Sequence, residues 1–191
     1  MTPTFEAQVF NMFSRLSHRG VRSGSSSRKV DCLIGACICI VARKENLPLT
    51  ILDVSEVIDT TIWKLGRTFM KITRDLGETI PSPDPVLLVF RCTSRLSDLL
   101  GEQMNLVSVD ASRLVRVIKK SSLDIGRRPF PIAAAAIKYS CEANGLSVDF
   151  RDLSFATKSG KYSIEKRYKE LQRILLNLGS KPKFLFRNNN N

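Results

Sequence analysis

Shifting the chain by 99 residues lays residues 28–76 over residues 127–175 without a gap, and no other feature narrows the possible folds as much. Identical residues meet at Ala36 and Ala135, Ile38 and Ile137, Leu47 and Leu146, Asp53 and Asp152, Ser55 and Ser154, Arg74 and Arg173, and Leu76 and Leu175. The similar pairs carry more weight. Leu65 with Ile164, Phe69 with Tyr168, Ile72 with Leu171 and Trp63 with Tyr162 repeat one apolar register at the spacing of a helix face. The chain must therefore hold two copies of one helical unit, each stacking its helices around its own core.

The second copy shows how such a unit is built. Pro129 stands at a first helical position, where a missing N–H costs nothing, and Gly145 stands where a left-handed residue stops a helix. Between Pro129 and Cys141 only Lys138 is charged, and the run Ala133–Ala136 leaves no bulky side chain in the way of neighbours. A surface helix would carry a polar stripe, so this stretch predicts a central helix packed from several sides. Its counterpart in the first copy is the apolar segment Lys29–Lys44.

Around these two rods the sequence predicts an all-α chain. Phe5, Val9, Met12, Phe13 and Leu16 mark a short amphipathic helix, followed by a Gly/Ser-rich linker over 20–27. Thr50 to Ile58 is a short helix, and Thr61 caps a longer one. Pro81, Pro83 and Pro85 then break the pattern, which places a boundary between a first repeat over 1–80 and a second over 81–179, with a tail at 180–191. Val86–Leu100 and Val109–Leu123 read as helices ahead of the central one, and Asp149–Thr157 and Gly160–Leu178 follow it. The first repeat has only Met1–Thr4 where the second has Val86–Leu100, so it is expected to lack its opening helix.

Charge points to the kind of partner. The chain carries a net charge of +12, of which residues 81–191 contribute +9 with 19 Lys and Arg against 10 Asp and Glu. Such an excess favours a polyanion. The longest apolar run, Cys32–Ala42, falls well short of the ~20 residues that span a bilayer, so nucleic acid is the expected partner and a membrane is not. No charged start leads into an apolar core, so a secretory signal is not visible in Met1–Phe5. Five cysteines with no CxxC pair, and one histidine, His18, suggest neither a metal site nor a disulfide framework. They fit a reducing compartment.

Gly126-Arg127-Arg128-Pro129 running into an alanine-rich helix, within the second of two tandem helical repeats, resembles the core domain of the transcription factor IIB family. The first repeat agrees through the buried stretch from Ala36 to Ala42 with its basic exit Arg43-Lys44, and through Trp63-Lys64-Leu65-Gly66-Arg67. The segment 166–171 is most like the plant-specific branch of that family. The resemblance implies two cyclin-like repeats, binding to the TATA-binding protein and promoter DNA, recruitment of an RNA polymerase, and a place in the nucleus. No zinc-ribbon pattern is present, so recruitment through a ribbon is not assigned to this sequence.

The residues expected to do the work lie in the second repeat. Asp149–Thr157 and Gly160–Leu178 have the order of a helix-turn-helix. On the longer helix Ile164, Tyr168, Leu171 and Leu175 share one face, and Tyr162, Lys166, Lys169 and Arg173 share the opposite one. A basic face of this sort is by itself often only solvated. With the charge asymmetry and the resemblance, Lys161, Lys166 and Lys169 are expected on phosphates, and Tyr162 and Ser163 at base edges. Glu165 stands where the family has an arginine that reads an upstream promoter element, so that preference is expected to be weak. Arg127 and Arg128 are expected to point outward from the turn, either into solvent or toward DNA. Arg43 and Lys44 suit a helix C-terminus without any partner.

No constellation suggests catalysis, a cofactor or a small-molecule substrate. There is no G-x-S-x-G, no phosphate-binding glycine loop and no Cys–His couple. Two alternatives share the same fold: a cyclin that activates a protein kinase, and a partial copy that folds without binding. The first would present a Lys and Glu pair for the kinase, and none is recognisable.

Overall fold

The computed structural model describes residues 4–18, 27–77, 79–120 and 126–177. Residues 20–26 of the linker, Leu123, Leu178 and the tail at 180–191 lie outside them, and Ser27, expected in the linker, opens a helix instead. The chain forms two compact units, Met1–Pro83 and Asp84–Asn191, and among the described residues both are helical without strands. The first holds α1 (Phe5–His18), α2 (Ser27–Lys44), α3 (Ile51–Val57) and α4 (Ile62–Leu76). The second holds α5 (Pro85–Ser94), α6 (Ser97–Leu100), a 3-10 turn at Gly101–Gln103, α7 (Met104–Lys120), α8 (Pro129–Ala143), α9 (Phe150–Thr157) and α10 (Lys161–Asn177). This is the all-α architecture expected from the repeat, and it is the cyclin-like one that the resemblance implies.

The 99-residue shift reappears as backbone geometry. Phe5 and Met104 open α1 and α7, Ile51 and Phe150 open α3 and α9, and Ile62 and Lys161 open α4 and α10. Reciprocal caps form at Thr50 with Asp53 and at Asp149 with Asp152, each satisfying amide donors that a helix start leaves bare. After the central helices, Asn46 and Gly145 turn left-handed, and the amides of Leu47 and Leu146 reach back to the carbonyls of Ala42 and Cys141 at 2.8 Å in both units. Asp59 and Lys158 also match, with φ of 46° and 50° in the turns between the last two helices. Helices α5 and α6 precede this shared set in the second unit; no described helix precedes α1.

Each unit is organised around its central helix. In the second, every residue from Pro131 to Ile137 is buried, and α8 packs against α5, α7, α9 and α10. The alanines add little area of their own but let four neighbours approach, so larger side chains such as Leu88, Leu114, Leu153 and Ile164 close over them. In the first unit α2 packs against α1, α3 and α4. The approach there is closest at Gly35, the counterpart of Ala134: a Cβ at Gly35 would lie 2.7 Å from Cδ1 of Ile58.

The one cation on α8 is held rather than stranded. Lys138 pairs with Glu142 at 2.9 Å, donates to the carbonyl of Val148 at 2.8 Å and lies 5.3 Å from the centre of the Phe150 ring. Glu142 also accepts the hydroxyl hydrogen of Tyr168. In the first unit the positions of Glu142 and Tyr168 are Arg43 and Phe69, and the Arg43 guanidinium stacks over the Phe69 ring at 4.6 Å. One pair of positions thus joins the central and last helices by a hydrogen bond in one copy and by a cation–π contact in the other.

Two helix boundaries differ from the sequence-based expectation. The helix expected over Val86–Leu100 breaks into α5 and α6 at Arg95 and Leu96, where the amide of Leu96 turns back to the carbonyl of Thr93 at 3.0 Å and the Thr93 hydroxyl bonds Ser108 of α7 at 2.6 Å. The turn that follows drops both Leu96 and Leu100 into the core. The helix expected from Val109 begins at Met104, since the 3-10 turn feeds it directly and no breaker intervenes.

Candidate nucleic-acid interface

Helix α9, the turn at 158–160 and α10 form the expected helix-turn-helix, and the turn is held from within. Lys158 takes a left-handed conformation, the Ser154 hydroxyl donates to the carbonyl of Ser159 at 2.6 Å, and the Ser159 amide returns to the carbonyl of Ser154. One guanidinium nitrogen of Arg95 donates to the carbonyl of Ala156 at 3.0 Å, so the end of α9 is tied to the end of α5. On α10, Ile164, Tyr168, Leu171 and Leu175 are buried. Tyr162, Lys166, Lys169 and Arg173 are exposed on the opposite face. Among the described residues the side chains of Lys166, Lys169 and Arg173 make no ion pair.

The turn before α8 and the start of α10 line one cleft of about 310 Å³, with Arg127, Arg128, Tyr162, Ser163 and Lys166 on its walls and Gly126 and Pro131 between them. Five of the residues singled out in the sequence therefore come together. Gly126 takes φ of 71° in the turn, and Arg128 stands at the N-cap position of α8, just ahead of Pro129, without a side-chain capping bond. Lys161 lies at the helix start, exposed, and leans toward Glu165 at 3.8 Å. An exposed pair at this spacing stabilises by only about 0.3–0.5 kcal/mol, so it leaves Lys161 available to a stronger anion.

Arg127 departs from expectation. Its guanidinium does not simply point outward but pairs with Glu170 on α10, and the same carboxylate oxygen accepts Arg167 at 2.7 Å. Arg127 therefore braces the turn against α10 while remaining partly open to solvent, and Arg128 is exposed beside it. Arg167 and Glu170 were not singled out in the sequence. The i, i+3 spacing of that pair was visible, but the partner in the turn, far away along the chain, left no local trace.

The site has a cationic surface, an exposed tyrosine with 77% of its area in solvent, and no cluster of potential metal ligands among the described residues. Arg128, Lys166 and Lys169 can donate to phosphate oxygens as point charges or forks, and Tyr162 can offer a ring and a hydroxyl to a base. The family model described as "Transcription factor TFIIB repeat" matches residues 90–174. The transcription factor IIIB 90 kDa subunit of Homo sapiens is 29% identical over 164 residues, covering 86% of this chain and 24% of that protein. The transcription factor IIIB 60 kDa subunit of Schizosaccharomyces pombe is 30% identical over 145 residues, covering 76% of this chain and 29% of that protein. A transcription initiation factor IIB of the archaeon Caldivirga maquilingensis is 26% identical over 148 residues, covering 78% and 43%. The chain spans about a quarter of the length of the two IIIB subunits, and these relatives support the family as a whole rather than its plant-specific branch. With the repeat visible in the fold and these matches along it, the chain carries a core domain of the transcription factor IIB family.

Proposed function

We propose that this chain is a general transcription initiation factor that works as a scaffold in the nucleus, binding the TATA-binding protein and promoter DNA and helping to assemble a pre-initiation complex with RNA polymerase. The name of the IIB relative states transcription initiation, and the names of the two IIIB subunits state a transcription factor. The observation that carries the finer reading is the cleft where the turn at 126–128 meets α10, with Arg128, Lys166 and Tyr162 on its walls. Lys161, Lys166, Lys169 and Arg128 supply phosphate contacts that set affinity and register. Tyr162 and Ser163 supply what base contact there is, and Arg127 contributes from its place against Glu170.

Glu165 faces the same helix start and is engaged with Lys161, so preference for an upstream promoter element is weak in this chain. The chain acts as a scaffold and not as an enzyme. The direct test is capture: full-length chain on beads against the TATA-binding protein with a TATA duplex, and in parallel against a panel of protein kinases. Retention of the protein–DNA complex and of no kinase is expected. Retention of a kinase alone would transfer the fold to the cyclin reading, and retention of neither would mark a copy that folds without binding.

A further inference from the structure

Helix α5 covers a surface of the second unit whose equivalent in the first unit is open. In the second unit α5 packs against both α7 and α8, and the Thr93 hydroxyl meets Ser108 of α7 at 2.6 Å. Helix α8 thus has four neighbours, whereas α2 packs against α1, α3 and α4 among the described residues. The difference is written along α2. From Leu33 to Ala42 every residue is buried except Ile34 and Ile38, which stand one turn apart on one face. Ile34 is 36% exposed, while the counterparts of the two isoleucines under the repeat shift, Ala133 and Ile137, are completely buried.

Helix α1 opens at the matching place. Val9 and Phe13, also one turn apart, are half-buried, and their counterparts Ser108 and Ser112 are buried. Four apolar side chains therefore hold positions that are closed in one copy and open in the other. Single apolar residues scattered on a surface need no explanation, but four that share the footprint of one helix do. The direction of change matters as well. Ser108, Ser112 and Ala133 correspond to Val9, Phe13 and Ile34, so the open copy is the more apolar and the bulkier one, the reverse of what contact with water alone favours.

Charge narrows the occupant. Glu6, Asp31 and Glu45 replace Asn105, Phe130 and Asn144. Glu6 continues the stripe of Val9 and Phe13 by helical period, and Asp31 and Glu45 continue that of Ile34 and Ile38, the amide of Glu45 still bonding to the carbonyl of Val41 at 2.9 Å. Their carboxylates make no ion pair among the described residues. An acidic rim on a chain of net charge +12 singles out this place for a basic ligand, which the rest of the surface repels.

We propose that the groove of Val9, Phe13, Ile34 and Ile38, edged by Glu6 and Glu45, docks an amphipathic helix of a partner protein with an apolar face and basic flanks. That helix lies along α1 and α2 as α5 lies along α7 and α8. Phe13 and Ile34 raise the floor relative to Ser112 and Ala133, so the incoming helix presents small residues at its closest turn.

The test uses the full chain and a fluorescein-labelled synthetic helix of about five turns, with Leu and Ala at helical spacing on one face and Lys and Arg on the flanks. The other titrants are the same composition in scrambled order and the same helix with Glu in place of every Lys and Arg. By anisotropy the basic helix is expected to bind saturably, and both controls at least about tenfold more weakly. Ile34→Gln should weaken the basic helix by about tenfold, and so should Glu6→Lys/Glu45→Lys, whose positions are exposed and should leave the melting midpoint unchanged. Lys166→Ala/Lys169→Ala should have no effect, which keeps this result separate from the one on α10. Equal binding of the scrambled peptide, or wild-type affinity in both the Ile34 and the rim variants, would overturn the proposal. Self-association of the chain that Ile34→Gln abolishes in sedimentation equilibrium would overturn it too, by assigning the groove to a second copy.

Discussion

Asp110 is the most consequential buried charge in the second unit. It is fully inside α7, accepts from the Asn144 side chain at 3.2 Å and reaches Arg113 at 3.5 Å, and one of its oxygens has no hydrogen bond. Burial pushes its carboxyl above the ordinary range, while Asn144 and Arg113 pull the other way. An acid whose folded pKa is raised contributes stability below its unfolded pKa and loses it as pH rises through the folded one. Stability carried by Asp110 should thus fall as pH climbs from about 4 toward neutrality. Asp110→Asn, which keeps the bond to Asn144 and removes the buried charge, should flatten that part of the profile and leave the chain at least as stable at pH 7. Urea midpoints at a series of pH values check this; a large loss of stability at pH 7 would show that the carboxylate is needed. The first repeat has Asn11 at the matching position.

The thiols give a second prediction at this scale. Burial raises Cys37 to about 11, Cys39 to about 12 and Cys141 to about 11, so at pH 8 these three stay protonated and enclosed. Cys32 is half-buried beside Thr60 and should react first with a thiol reagent in the native chain, with Cys37, Cys39 and Cys141 following only on unfolding. Mass spectrometry of partly labelled protein reads the order directly.

At the scale of elements, α8 was legible because its limits are local: Pro129 opens it, Gly145 ends it and four alanines tell what surrounds it. The break between α5 and α6 was not legible, since no glycine or proline marks it between Val86 and Leu100, and the Thr93–Ser108 contact beside it comes from another helix. The bracing of Arg127 by Glu170 escaped for the same reason, whereas the exposed pole of α10 was readable from period alone. Gly35 is a middle case: its freedom from a side chain shows in the sequence, but the Ile58 methyl group that fills the space does not. Close packing around the central helices predicts that Ala134→Leu destabilises by about 1–3 kcal/mol or more, and that Gly35→Val does likewise in the first unit. The exposed control Arg173→Ala should stay within about 0.5 kcal/mol. Equal midpoints for Ala134→Leu and the control would contradict the central role of α8.

For the molecule as a whole, two copies of one helical unit have diverged on their surfaces while keeping caps, left-handed turns and core register. The copies keep what folding needs at Thr50 and Asp149 or Leu65 and Ile164, and they differ at Trp63 and Tyr162 or Met70 and Lys169, where the side chains are exposed. The net charge of +9 in residues 81–191 belongs to this level, because its pull on a polyanion would be the sum of many contacts. Glu165→Arg would add a base-reading fork on top of that, with an expected gain of about 1–3 kcal/mol at one base pair of the upstream element. Comparison of that variant on two promoters that differ only there measures it.

The central claim is that the cationic pole of α10 lies along a nucleic-acid backbone. Its most direct measurement is the affinity of the full chain for a TATA-binding protein–TATA duplex complex over a series of salt concentrations, for the wild type and for Lys166→Ala/Lys169→Ala. The wild type should weaken steeply with salt, and the double variant should bind more weakly on every duplex with a slope lower by roughly two, close to the ~0.9 expected for each lost phosphate contact. Superimposable curves for the two proteins, or a wild-type affinity that does not respond to salt, would contradict the account.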